Sequence, residues 1–436
     1  MKALQAVRGT RDLLPPETEL WNRVESAARC IFARYGFGEI RTPIFEDTQL
    51  FARSVGEETD IVSKEMYSWE DRARAQSEKS QSLTLRPENT AGVVRAYIEH
   101  GMGEDGLLHK LYYIGPQFRR ERPQKGRYRQ FFQIGAEVIG PTSAGSESPL
   151  RDAEVLEMLA TLLHELGVAD WKLYVNSVGS AQDRARYVQI LREALQGVAA
   201  NLCADCQRRA QTNPLRVLDC KVPEDQPLID SLPKIAEFLD VASQQHFAQV
   251  CAALDACDVA YTVNPRLVRG LDYYTRTTFE FVHMGLGAQN ALLGGGRYDG
   301  LSEAIGGPKA PGIGFAIGAD RLVLTLQAIA AAKLEQGSVG TAHKLDVYIA
   351  PLGEAQQAQA LLLARELRRA GLRVELGDGS FRIKKSFEAA DRLARTVVLF
   401  GEDEARTGMM TVKHFASGEQ MKVLRAELAA WLRNKS

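Results

Sequence analysis

Two apolar runs flank a long basic loop, and no other stretch constrains the fold of this chain as much. Lys110-Leu111-Tyr112-Tyr113-Ile114-Gly115-Pro116 reads as one strand, and Phe131-Phe132-Gln133-Ile134-Gly135-Ala136-Glu137-Val138-Ile139-Gly140 as another. Between them, Arg119 to Arg129 holds six basic residues and one acid, with Pro123, Lys125 and Gly126 near the tip. The pattern predicts a hairpin with a basic loop. Gln133 and Glu137 lie four apart on its second strand and share a face. Guanidinium forks match phosphate oxygens, which suits polyphosphate or nucleic acid. Phe131 and Tyr128 offer rings for a base to stack on. The alternative is a solvated tip whose arginines pair with nearby acids, and loop composition alone leaves both open.

At 436 residues the chain has room for two to four domains with substantial cores. Its 54 basic and 55 acidic residues balance to −1, so nucleic-acid contacts must come from local patches. Six cysteines are few for this length and suggest reduced thiols in a cytoplasm. The first residues lack the apolar core of a signal peptide, and no apolar run approaches the roughly 18 residues of a membrane span. A cytoplasmic protein without a membrane anchor is expected.

Composition shifts along the chain. Residues 1 to about 176 mix strands and helices, including an amphipathic helix over Val155, Leu159, Leu162 and Leu166 that ends at Gly167. Residues about 177–258 read as mostly helical, with a polar centre from Cys203 to Asp225. Strands and glycines return through Gly318, and 331–344 reads as a linker. Beyond it, Asp346–Ala350 reads as a strand. Ala360, Leu363, Ala364 and Leu367 mark a helix face, and Gly371 stands where a helix cap belongs. Leu372, Val374 and Leu376 alternate as a strand, a helix follows near Ser386–Leu393, and Thr396–Phe400 is a further strand. This argues a separate α/β domain over 345–436 with a largely parallel sheet. Its 15 basic and 12 acidic residues give +3.

No Walker loop and no dinucleotide fingerprint occurs, and the seven histidines are scattered, so bound phosphates would fall to arginines. A second cluster, Arg266 to Thr277, packs Arg269, Asp272, Tyr273 and Tyr274 around Gly270. Gly294-Gly295-Gly296-Arg297-Tyr298-Asp299-Gly300 follows, where glycines let backbone approach a ligand or simply turn between strands. Pro311 to Leu324 runs strand into helix and places Asp320 and Arg321 at the helix start. An arginine there opposes the helix dipole, which hints at function; pairing with Asp320 is the plainer reading.

Together these segments resemble the histidyl-tRNA synthetases, a class II aminoacyl-tRNA synthetase family. Arg8 to Pro15, Gly36 to Glu46, Leu85-Arg86-Pro87-Glu88, the arginine hairpin, Leu267 to Tyr274, Gly294 to Gly300 and Pro311 to Leu324 carry the resemblance. It implies an α+β catalytic domain over 1–330, an antiparallel sheet flanked by helices with the helical insertion inside it. It also implies an anticodon-binding domain over 345–436. The activity implied is ATP-dependent ligation of histidine to its tRNA through a histidyl-adenylate, by a homodimer, with Mg2+ on the ATP. Arg119 would hold the α-phosphate, Arg127 and Arg321 the γ-phosphate, and Phe131 the adenine. Glu88 and Gln133 would take the amino group of histidine, and Glu137 and Tyr274 its imidazole, with Tyr298 near. Arg269 would bridge the histidine carboxylate and the α-phosphate; with Arg119 it would carry the catalysis. Arg122 and Gln124 would meet the tRNA acceptor end.

Two rivals stand beside this reading. A non-catalytic paralogue, the regulatory subunit of ATP phosphoribosyltransferase, shares the catalytic fold. A bare RNA-binding module is the other, and the net charge of −1 argues against it. Cys203, Cys206 and Cys220 resemble three ligands of a tetrahedral zinc site. No fourth is apparent in Lys221-Val222-Pro223-Glu224-Asp225, so free thiols are expected there and no metal held by the protein.

Overall fold

The computed structural model describes residues 3–56, 59–71, 80–124, 126–283, 285, 291–335, 345–380 and 383–435. The chain forms two units, Met1–Ala332 and Lys333–Ser436. Residues 331–335, expected in a linker, instead complete a helix, because Leu322, Val323 and Leu326 bury its inner face; 336–344 lie outside the described residues.

In the first unit, α1 (Glu17–Arg34) leads to β1 (Gly38–Glu39), β2 (Phe45–Asp47), α2 (Thr48–Val55), β3 (Tyr67–Asp71), β4 (Gln81–Leu85) and α3 (Thr90–Glu99). The hairpin follows as β5 (His109–Phe118) and β6 (Gln130–Ile139), then α4 (Pro149–Glu165) and β7 (Trp171–Ser177). Helices α5 (Ala181–Val198), α6 (Ala204–Thr212), α7 (Gln226–Asp230) and α8 (Val241–Ala256) come next. The unit closes with β8 (Thr262–Val263), β9 (Thr275–His283), β10 (Ala291–Arg297), α9 (Leu301–Ala304), β11 (Gly312–Gly318) and α10 (Ala319–Glu335).

An eight-stranded sheet, ordered β1-β5-β6-β11-β10-β9-β7-β8, forms the frame. It is antiparallel from β5 through β7, and the short edge strands β1 and β8 pair in parallel. Phe32, Leu156, Leu159, Leu163, Phe279 and Phe315 fill the core between it and helices α1, α4, α8 and α10. Helix α4 starts where the Ser148 side chain accepts from the Leu150 N–H, with Pro149 at the first position, and stops before Gly167 at φ 74°.

The expected insertion is narrower than 177–258. Val250 and Leu254 of α8 belong to the main core, against α4. Residues 181–239 instead close a smaller core of Tyr187, Leu191, Leu195, Cys206, Val217 and Ile229, shared with Tyr274. The polar stretch 203–225 folds into α6 and short 3-10 turns rather than staying irregular.

The second unit holds β12 (Leu345–Pro351), α11 (Gln357–Arg369), β13 (Val374–Leu376), α12 (Ile383–Leu393), β14 (Ala394–Phe400), α13 (Glu402–Thr407), β15 (Met409–His414), β16 (Gln420–Leu424) and α14 (Arg425–Asn434). Strands β13, β12 and β14 are parallel, as the alternation of strands and helices predicts. Strands β15 and β16 extend the sheet antiparallel, a mixed edge that the sequence pattern does not reveal. Gly371 caps α11 at φ 87°.

Candidate active site

The expected hairpin forms, with Tyr113 opposite Gly135 and Gly115 opposite Gln133. Its inner strand, together with β9, β10, β11 and the loop before β9, walls a cavity of about 340 Å³. Glu88, Arg119, Arg127, Phe131, Gln133, Arg269, Tyr274, Tyr298 and Arg321 all line it. The sequence-derived set thus converges from five separate stretches of chain. Arg122 and Gln124 stay outside, exposed on the hairpin tip, where Gln124 and Arg127 exchange backbone hydrogen bonds. Lys125 lies outside the described residues.

Glu137 is placed differently from its companions: it lies beneath the cavity wall rather than on it. It pairs across to Gly314, where a Cβ would fall 1.6 Å from Glu137 Oε2. Thr90 Oγ1 donates to Glu137 Oε1 at 2.7 Å, while Oε2 is buried and accepts no hydrogen bond. Burial pushes this carboxyl up to about 8, with the Thr90 hydrogen bond opposing. Glu88 is also buried, and burial raises its pKa. Its two oxygens accept from the Thr90 and Ala91 N–H groups at 2.7 and 3.0 Å, so it sits at the positive end of α3. Gln133 Oε1 is buried without a hydrogen-bond partner.

Arg269 Nη1 donates to Glu280 Oε1 at 2.6 Å. Burial works against its charge, but Glu280 and then Tyr274 outweigh that and hold it protonated. The guanidinium passes over Gly294, where a Cβ would meet Nη1 at 2.6 Å. Close approach therefore explains that glycine. Arg119 Nε donates to Pro87 O at 2.9 Å, and its guanidinium stands over the Phe131 ring at 5.2 Å. Arg127 reaches Glu121 at 3.2 Å. Arg321 Nη1 donates to Ala291 O at 3.0 Å. Burial, and then nearby Arg127, push its pKa below the usual arginine range, as expected where cations converge. Asp320 does not pair with it; that carboxylate accepts from Arg11 at 3.1 Å and from the Phe132 N–H at 2.9 Å. The stretch Arg8 to Pro15 thus braces the start of α10.

Several residues of the motifs turn out to be structural. Arg86 spans Thr42 O, Pro43 O and Pro116 O at 2.9–3.3 Å and ties the segment before β2 to the hairpin. Arg297 is fully buried between Asp152 (2.6 Å), Asp299 and Ser146 O. Sequence reading missed Thr90, Tyr113, Tyr273 and Glu280. Only Tyr273, inside the second cluster, carried a signal.

The expectation of three thiols without a fourth ligand fails. Asp225 closes on Cys203, Cys206 and Cys220, with ligand atoms all within 4.8 Å of one another.

The histidyl-tRNA synthetase family model matches residues 9–322. The chain belongs to the histidyl-tRNA synthetase family. An anticodon-binding domain model matches residues 346–435, so the second unit is the domain that the resemblance implies. A histidine–tRNA ligase of Koribacter versatilis is 68% identical over 99% of this chain and 96% of its own length. One from Solibacter usitatus is 55% identical over 98% of the chain and 99% of its own length. The crystal structure of apo histidyl-tRNA synthetase from S. aureus superposes with a TM-score of 0.78 at 36% identity, covering both chains fully. The catalytic fold is that of class II synthetases.

Proposed function

We propose that this synthetase joins L-histidine to the 3′ end of its tRNA, using ATP and passing through a histidyl-adenylate. Near-full-length identity of 68% to a histidine–tRNA ligase carries this reading, and a cavity lined by four arginines that holds buried acceptors for an amino acid supports it. The regulatory-subunit alternative is not favoured by that relationship.

In the first step a carboxylate oxygen of histidine attacks the α-phosphorus of ATP, and pyrophosphate leaves. Two anions must meet, and charge grows on phosphorus. Arg119 on the α-phosphate and Arg269 between the phosphate and the histidine carboxylate offset both effects, and positioning supplies much of the remainder. Arg127 and Arg321 suit the γ-phosphate, and Phe131 the adenine ring. Gln133 Oε1, buried and unpartnered, suits the ammonium of histidine beside the Glu88 carboxylate. Glu137 Oε2 is likewise a waiting acceptor for an imidazole N–H, with Tyr274 and Tyr298 alongside. In the second step the tRNA terminal hydroxyl attacks the adenylate carbonyl and AMP departs; no protein nucleophile is required.

Mg2+ would neutralise and orient the ATP phosphates. Glu121 and Glu280 on the cavity wall are already ion-paired with Arg127 and Arg269, so the phosphates themselves would supply the ion's oxygen donors. Arg122 and Gln124, exposed on the hairpin tip, suit guanine edges at the tRNA acceptor end. The second unit would bind the anticodon. Exposed Phe45 and Trp69, whose rings lie 6.1 Å apart, with Ile44 next in sequence, offer an apolar patch that would suit a homodimer. Six cysteines outside any disulfide accord with work in the cytoplasm. The deciding test is histidine-dependent ATP–pyrophosphate exchange with aminoacylation of a tRNA pool. Exchange with another amino acid alone, or none, would overturn the reading.

A further inference from the structure

The core of the insertion carries a side-chain cluster that this chemistry does not use. Cys203 is the N-cap of α6 and Cys206 follows in its first turn. The chain then returns through 3-10 turns at Pro214–Val217 and Pro223–Asp225, which bring Cys220 and Asp225 to the same point. The Asp225 carboxylate accepts from the Cys203 N–H at 3.0 and 3.2 Å and from Cys220 Sγ at 3.2 Å. Cys220 Sγ also accepts from the Val222 N–H at 3.4 Å, an outer hydrogen bond of the sort that steadies a thiolate ligand.

The spacing of the sulfurs discriminates between readings. Cys203 and Cys220 Sγ lie 3.9 Å apart. Two sulfurs at about 2.3 Å from a shared tetrahedral ion are about 3.8 Å apart, whereas disulfide sulfurs are about 2.0 Å apart. Cys206, Cys220 and Asp225 are buried and Cys203 is partly so, which leaves a closed set of four donors. A closed set marks a structural rather than a catalytic site. Three soft sulfurs select zinc over magnesium or calcium.

We propose that Cys203, Cys206, Cys220 and Asp225 hold a structural Zn2+ in the insertion. Binding forms three Zn–S bonds and one Zn–O bond and releases the thiol protons to solvent, with no redox change. The metal fastens the turn between Pro214 and Cys220. That turn in turn supports the segment bearing Arg269: Leu218 O accepts from Arg266 Nη2 at 3.2 Å, and the Arg216 guanidinium lies 3.0 Å from where a Gly270 Cβ would be.

Untagged full-length protein, purified reduced and without chelator, should contain about one zinc per chain by elemental mass spectrometry. Replacing zinc with Co2+ should give thiolate-to-cobalt charge-transfer absorption and strong tetrahedral d–d bands. Because Cys206 is fully buried, Cys206→Ser tests folding as much as metal, so Asp225 decides. Asp225→Ala should lower zinc affinity at least about tenfold against a chromophoric chelator, while Asp225→Cys should keep the metal. Stripping zinc should lower the melting temperature, with recovery on adding Zn2+ but not Mg2+. Zinc-free protein with no cobalt spectrum, unchanged zinc affinity in Asp225→Ala, or a Cys203–Cys220 disulfide in the unreduced protein would each overturn the proposal.

Discussion

Gly294→Ala isolates the position of Arg269 from its presence. A Cβ at residue 294 would lie 2.6 Å from Arg269 Nη1 and 2.7 Å from Cζ and Nη2. Non-bonded carbon and nitrogen settle near about 3.5 Å, so the guanidinium must retreat by roughly 0.8–0.9 Å. The clash is with the far end of a flexible side chain. The fold should therefore absorb it, and the melting temperature should stay within about 3 °C of the parent. A positioned charge displaced by about 1 Å costs on the order of 10²-fold in rate, or about 2.7 kcal/mol. That loss should appear in kcat/KM of histidine-dependent pyrophosphate exchange. Gly295→Ala is the contrast: its Cβ would fall 2.1 Å from Gly314 O, which is backbone and cannot step aside, so that variant should lose stability outright. If Gly294→Ala melts normally and exchanges pyrophosphate within about twofold of the parent, the present position of Arg269 is not what activates histidine.

Glu137 has a folded pKa of about 8 against roughly 4.3 unfolded, so its contribution to stability is full below about pH 4 and lost as pH rises through 8. Ligand-free protein should therefore lose melting temperature relative to Glu137→Gln between about pH 5 and 8, with no further relative loss above about 8; parallel profiles would refute the assigned burial. Alanine at both Arg122 and Gln124 should slow transfer to tRNA several-fold and leave pyrophosphate exchange near normal, and equal damage to both steps would place the loop in ATP binding instead. A chain ending at Thr341 should keep exchange activity within a few-fold while tRNA charging falls more than about tenfold. Loss of exchange would tie residues 345–436 to catalysis.

The sequence makes legible what is local. The hairpin announces itself because strand propensity, loop charge and turn residues sit within thirty positions. The α/β unit is legible for the same reason. Partners brought from afar are not. Glu280 holds Arg269 across eleven positions, Thr90 meets Glu137 across 47, and Arg11 meets Asp320 across 309. Asp225 escapes because structural zinc sites mostly take Cys or His, so an aspartate after Cys220 reads as one more loop acid until the turn at Pro223 brings it to the thiols. The extent of the insertion is misjudged because α8 is as helical as its neighbours; only packing against α4 assigns it to the main core. The residues of Gly294 to Gly300 have mixed duties that one string of letters hides: Gly294 clears Arg269, Tyr298 lines the cavity, and Arg297 holds Asp152 and Asp299 in the interior.

The cavity wall carries Arg119, Arg127, Arg269 and Arg321, but also Glu88, Glu121, Glu280 and Asp320. A balanced set looks unsuited to polyphosphate until the acids are followed to their partners. Asp320 is taken by Arg11 and the Phe132 N–H, and Glu88 by the amino end of α3. Those two hold backbone in place. Glu280 and Glu121 instead hold Arg269 and Arg127 extended in the cavity, at 2.6 and 3.2 Å. A flexible guanidinium left alone would sample many rotamers, and fixing it on arrival of the ligand would cost binding energy. These two acids thus act as internal counterions that place Arg269 and Arg127 in advance. On the proposed reading, a chain with a net charge of −1 offers phosphate a site through guanidinium groups placed in advance: the attraction would come from position, over a few ångströms, and needs no surplus of charge over the whole molecule.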